Sequence, residues 1–235
     1  MRLLVLDTAL HACTAGCLEI RADGTLHVVA MRSQPMRVGH AEALMPMVAA
    51  VLDETGREGI DRIAVTTGPG SFTGLRVALS AARGLALALG IPSYGVGTLA
   101  ALAGLGFEDG AAGPVASIID ARRGEVYMQA FRGFGEALSE PALETLAQAE
   151  ARLAALSPEP WTLVGSGASL LPAGRRIDAA APDAMHIARL GAEAGESASP
   201  ARPLYLRAPD AKLPSTPPLA RQPSLVDETR SLERS

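Results

Sequence analysis

Two apolar runs, each closed by an aspartate, divide the chain. Leu3–Leu6 leads into Asp7, and Pro114–Ile119 leads into Asp120. The first is unbroken and reads as a strand buried on both faces; the second, with Ser117 inside it, echoes the first. More strand follows each one. In the first case it is Ala12–Ile20 and Thr25–Met31, joined at the turn Ala22-Asp23-Gly24; in the second it is Gly124–Phe131. The echo predicts two related halves, residues 1–110 and 111–208, with a hinge-like break at Gly110–Gly113.

Between these strands the period becomes helical. Leu44, Met47, Val48, Val51 and Leu52 mark the core face of a helix over Ala41–Thr55, stopped by Gly56, with Met45 and Ala49 on another side. Ile63–Thr66 is a strand. A helix over Leu75–Leu89 carries two stripes. Leu75, Ala78, Leu79, Ala82 and Ala86 form one; Ser80, Gly84 and Ala88 form another, made only of small residues, that lets a second helix approach closely. Gly84–Phe107 lacks charge and is long enough to span a bilayer. Gly90-Ile91-Pro92 interrupts it, so helix, buried strand and helix are expected. Later elements are a helix over Thr145–Leu156, a strand at Trp161–Val164 and a helix over Ala184–Ala194. Pro203–Arg207 is apolar enough to dock, and the tail 209–235 is expected to be disordered.

Between strand and helix lies Gly68-Pro69-Gly70-Ser71-Phe72-Thr73-Gly74-Leu75-Arg76. A glycine-rich turn entering a helix suits an anion. The spacing fits neither nucleotide motif. A P-loop needs lysine where none stands, and a dinucleotide fingerprint needs glycine where Thr73 stands. The plainer reading is a tight turn that seats a helix on a sheet, with Ser71 or Thr73 as the cap.

Composition narrows the chemistry. The net charge of −4 and 3% aromatic content argue against a dedicated RNA-binding module. Lys212 is the single lysine among 21 basic residues, so the folded part has no lysine for a phosphate clamp or Schiff base. Cys13 and Cys17 share a strand at roughly 13 Å, too far for a disulfide, and read as free thiols. His40 stands alone at a helix start, where a capping or solvated role is expected; no metal site is expected. No secretory leader is apparent, so a soluble, cytoplasmic protein is expected.

The strings His40–Pro46, Ile63–Arg76, Ala82–Ala86, Gly95–Leu99 and Asp120–Tyr127 resemble the TsaB (YeaZ) family, and Tyr205-Leu206-Arg207 extends the resemblance to the end of the folded part. The resemblance implies an α/β fold of two subdomains in the manner of the actin–Hsp70–hexokinase superfamily. It implies a non-catalytic scaffold for the bacterial complex that places threonylcarbamoyl on N6 of adenosine 37 in tRNAs reading codons that start with A. The implied partners are the TsaD catalytic subunit, the TsaE ATPase and a second copy of the chain, with tRNA reached only through the complex and no membrane. ATP would be used by those partners, so no cofactor is expected here. The two long helices would form the interface, through Met45, Ala49, Ser71, Phe72, Thr73, Arg76, Ser80, Gly84 and Ala88. Asp7, Asp120, Gly165 and Gly167 would mark a degenerate nucleotide cleft. No glycine follows Asp7 for close approach to phosphate, and Arg122 and Arg123 crowd the turn after Asp120. The rival reading is an active ATPase or small-molecule kinase of the same fold.

Overall fold

The computed structural model describes residues 1–172, 174–194 and 201–207. The expectation for the tail 209–235 lies outside them. The first half is a five-stranded sheet in the order β3-β2-β1-β4-β5. β1 (Arg2–Asp7) pairs antiparallel with β2 (Ala12–Ile20) and parallel with β4 (Arg62–Gly68). β3 (Leu26–Pro35) lies outside β2, and β5 (Ser93–Gly97) outside β4. β1 is central, which is why Leu3–Leu6 is unbroken: both of its faces are covered.

The second half repeats this plan. β6 (Val115–Arg122) is central, antiparallel to β7 (Glu125–Gly133) and parallel to β10 (Thr162–Val164). Beyond β7 stand the short β8 (Glu136–Ala137) and β9 (Ala142–Thr145); beyond β10 stands β11 (Arg175–Ile177). Two mixed sheets built alike, each with helices, are the doubled architecture the sequence implied.

One face of the first sheet is covered by α1 (His40–Thr55) and α2 (Phe72–Leu89). The core stripes agree with the periodicity: Leu44, Val48, Val51 and Leu52 are buried on α1, and Leu75, Ala78, Leu79 and Ala82 on α2. Ser71 caps α2, its hydroxyl accepting from Gly74 N–H at 3.3 Å. His40 is buried rather than solvated: α1 starts one residue earlier than its apolar period, and His40 is its first residue.

α3 (Thr98–Glu108) explains the uncharged run before it. Ala101 packs with the first sheet, while Leu99, Leu102 and Ala103 pack with the second, so the helix is apolar on nearly every side. α4 (Leu146–Leu156) covers the second sheet behind a Thr145–Gln148 capping box.

α5 (Ala184–Glu193) corrects the boundary drawn from sequence. Ile187 and Ala188 pack on Leu3, Val5 and Ala64, so α5 covers the open face of the first sheet rather than closing the second half. Residues 201–207 return to the first half as well, with Ala201 buried in the α1–α2 core.

Gly74 and Gly84 lie on one helix in opposite settings. A Cβ at Gly74 would stand 2.0 Å from the Thr8 carbonyl oxygen, whereas a Cβ at Gly84 would meet nothing within 4 Å. Gly74→Ala should therefore lower unfolding stability in urea by ~3 kcal/mol, at the top of the overpacking range. Gly84→Ala should raise it by ~0.5–1 kcal/mol through helix propensity alone. Equal effects at the two positions would contradict this packing.

Candidate functional site

A cleft of about 580 Å³ lies between the halves. The first half contributes Ala9, Leu10, His11, Arg37 and Ser71, and the second contributes Asp120, Arg122, Tyr127 and Ser166. The aspartate pair expected to flank one nucleotide site is split. Asp120 lines the cleft, and Asp7 does not: it is fully buried beneath the sheet end.

Two backbone donors at the start of α2, Ser71 N–H and Gly74 N–H, are engaged within the protein. Gly70 and Gly74 lie so close to the β1–β2 turn that a Cβ would meet the Ala9 and Thr8 carbonyl oxygens at 2.4 and 2.0 Å. Ser71 N–H donates to Ala9 O at 2.7 Å, and Thr8 Oγ1 donates to Gly74 O at 2.6 Å. A protein carbonyl thus occupies the anion position at the start of α2. The second half does the same. Gly165 and Gly167 pack against Ile118, where Cβ atoms would stand 2.5 Å from its carbonyl oxygen and 2.8 Å from its Cγ2. Their N–H groups donate to Ile177 O and Ile118 O, both at 2.9 Å. These glycines serve close backbone packing.

The turn after Asp120 is filled by its own side chains. Arg122 and Arg123 both hold positive φ, at 64° and 60°, in a tight hairpin closed by Gly124. Arg122 Nη1 pairs with Asp120 Oδ2 at 2.9 Å, and Arg122 N–H donates to Oδ1 at 2.7 Å. Asp120 is therefore satisfied within the protein.

Asp7 Oδ1 accepts from Thr66 Oγ1 at 2.5 Å and from Ala9 N–H at 3.0 Å. Asp7 Oδ2 and His40 Nε2 are both buried without a hydrogen-bond partner. Burial pushes the Asp7 carboxyl above the ordinary carboxylate range, against the opposing pull of Thr66, Ala9 N–H and His40. Burial and the Asp7 charge together raise the Cys13 thiol to about 11. Cys13 and Cys17 are free and buried. Among the described residues no group of three or more His, Cys, Asp or Glu is placed to hold a metal.

Outside the cleft, α1 and α2 lie side by side, and their second faces are uncovered. Met45, Ala49, Ser71, Phe72, Thr73, Arg76, Ser80, Gly84 and Ala88 are all exposed. Met45 is 46% exposed and Phe72 50%. α2 is also long and apolar enough to cross a membrane by length and composition; its two charges, Arg76 and Arg83, are both exposed.

The family model described as TsaD, tRNA N6-adenosine threonylcarbamoyltransferase, matches residues 36–187. The tRNA threonylcarbamoyladenosine biosynthesis protein TsaB of Escherichia coli is 34% identical over 173 residues, covering 71% of this chain and 72% of that one. The solved YeaZ of Pseudomonas aeruginosa superposes with a TM-score of 0.74 at 30% identity, covering 87% of this chain and 99% of that one. The chain belongs to the TsaB family. An uncharacterized protein of Mycobacterium tuberculosis is 35% identical over 89% of this chain and 93% of its own length.

In this TsaB-family chain, sequence reasoning missed one surface residue, Leu87, and the place where Tyr205 docks. Leu87, 87% exposed, lies off the buried stripe of α2. Its signal was a large apolar residue out of phase with Leu75, Ala78 and Ala82. Tyr205 stacks on Phe72 with ring centroids 5.3 Å apart, a contact 133 residues apart in sequence by subtraction, which no local pattern marks.

Asp7 gives a pH test. Its folded value lies above its unfolded one, so the folded state binds the proton more tightly. Its contribution favours folding below the unfolded value and is lost as pH rises through the folded value. Asp7→Asn should therefore melt above wild type near neutral pH, with the gain fading toward about pH 4. A variant that melts below wild type at neutral pH would show that the ionised carboxylate is compensated by His40.

Proposed function

We propose that this chain is a non-catalytic scaffold of a tRNA threonylcarbamoyladenosine-forming complex. In this reading it holds a TsaD-type catalytic subunit, works beside a TsaE-type ATPase, and pairs with a second copy of itself when the catalytic subunit is absent. The complex transfers threonylcarbamoyl to N6 of adenosine 37 in tRNAs that read codons starting with A. The chain meets that tRNA through the complex, and ATP is used by its partners.

The observation that carries this reading is the open face of α2. Ser80, Gly84 and Ala88 form a smooth strip with apolar Leu87 beside it, while the opposite stripe is buried in the chain's own core. Small residues on an exposed helix face admit a second helix at short range. The arrangement of the cleft supports a non-catalytic role: the Gly165, Gly167 and Ser71 N–H groups that could face a nucleotide donate to protein carbonyls, and Gly74 N–H donates to the Ser71 hydroxyl.

Gly84→Arg tests the scaffold. The side chain has room in the free chain, so folding should be retained. Association with the catalytic subunit and with a second copy should weaken at least about tenfold, a loss of ~1.4 kcal/mol, by pull-down titration and light scattering. Wild-type affinity for both would remove α2 from the interface.

The rival, an active ATPase, is tested on the pure chain. It should neither hydrolyse ATP nor modify tRNA, and calorimetry with Mg-ATP should show no binding. Turnover that disappears in Asp120→Ala would favour the rival.

A further inference from the structure

Residues 201–207 form a strap that touches both halves. Its first end is seated on the first half. Ala201 is buried, its carbonyl accepts from Arg83 Nη2 at 2.8 Å, and Leu204 N–H donates to Thr67 O at 2.8 Å. There Tyr205 joins the start of α2. Its hydroxyl accepts from Arg76 Nε at 3.2 Å, its ring meets Phe72, and the Arg76 guanidinium lies 3.7 Å from the Phe72 centroid.

Two residues on, the strap holds the second half. Arg207 Nη1 donates to Ala121 O at 2.9 Å, Nη2 pairs with Glu125 at 2.5 Å, and the guanidinium lies 6.0 Å from the Tyr127 centroid. Ala121 and Glu125 flank the β6–β7 hairpin that carries Arg122, and Ala121, Arg122 and Tyr127 line the cleft.

The two holds differ in access. Phe72 and Tyr205 are about half exposed, at 50% and 43%, so a partner can reach them. The Arg207–Glu125 pair is more sheltered, with side chains 24% and 33% exposed. Arg207 and Tyr205 are separated by one residue of a short segment, so displacement of Tyr205 moves the backbone that positions Arg207.

We propose that the strap is a clamp through which a partner on the α2 face sets the width of the cleft, with Tyr205 and Arg207 as its positioning residues. This rests on the partner face proposed above. A catalytic subunit that engages Phe72 and Arg76 takes over the contact made by Tyr205. Arg207 passes that displacement to the β6–β7 hairpin, and the hairpin moves relative to the first half. The strap is a contiguous element in contact with both places, so each can bias it.

The test places spin labels on Arg37→Cys and Asp178→Cys, which line the cleft from opposite halves. Cys13 and Cys17 are buried and stay unlabelled. In the free full-length chain, Arg207→Ala and Tyr205→Ala should each lengthen and broaden the distance distribution. Added catalytic subunit should shift the wild-type distance and leave Arg207→Ala where it already stands, at wild-type affinity or tighter, because the variant no longer opposes release of the clamp. Arg207→Lys, which keeps the charge and loses the two-pronged hold, serves if alanine unfolds the chain, and should show the same changes in weaker form. Unchanged free-chain distributions in all variants would overturn the clamp. So would a partner-induced shift of equal size in wild type and Arg207→Ala. A catalytic subunit that fails to bind wild type would instead overturn the function proposed above, and the free-chain comparison would still decide the clamp.

Discussion

The backbone contact between the β1–β2 turn and the glycine-rich turn before α2 governs the first half. The Cα atoms of Gly70 and Gly74 lie against the carbonyls of Ala9 and Thr8 at distances no side chain could share. That contact seats the first turn of α2 over the end of β1. With the start of the helix held there, Leu75, Ala78, Leu79 and Ala82 face the sheet, and Ser80, Gly84 and Ala88 face outward. The same contact fills the anion position at the helix start with a protein oxygen. Loss of a phosphate site and presentation of a smooth helix face are therefore two results of one piece of packing.

The second half repeats the solution with other residues. Gly165 and Gly167 press on Ile118 as Gly70 and Gly74 press on Ala9 and Thr8. Each half keeps a central strand with an antiparallel neighbour on one side and a parallel one on the other. In each, N–H groups of the glycine-rich turn bond to the protein's own oxygens, Ser71 and Gly74 in the first half and Gly165 and Gly167 in the second, at about 0.5–1.5 kcal/mol net apiece. The cleft persists as a space between two doubled sheets. Its polar wall is knitted together by the Asp120–Arg122 pair.

Much of this was legible in the chain. The aspartate-ended apolar runs marked both central strands, and the helical stripes of α1 and α2 were read in phase, because burial on a sheet imposes a local period. Asp7 was misplaced for the same reason it was noticed. A strand-end aspartate looks identical in sequence whether it faces a cleft or lies beneath one, and only the tertiary neighbours Thr66 and His40 decide. β11 and β9 were missed because three- and four-residue edge strands carry too little alternation to register. α5 was recognised as a helix, but its destination was not, since amphipathicity names a buried face without naming the sheet that buries it.

The return of α5 to the first sheet has a consequence for synthesis on the ribosome. β1 through β5 are complete once Gly97 has emerged, yet the cover of Leu3, Val5 and Ala64, begun by Ala101 of α3, is finished only when Ile187 and Ala188 follow. At about 5–20 residues per second, that leaves an apolar sheet face open for roughly 5–20 s while the second half is made. Closure of that face waits on α5, which follows the whole of the second half's sheet in the chain. The first sheet is thus finished only after the second has been made.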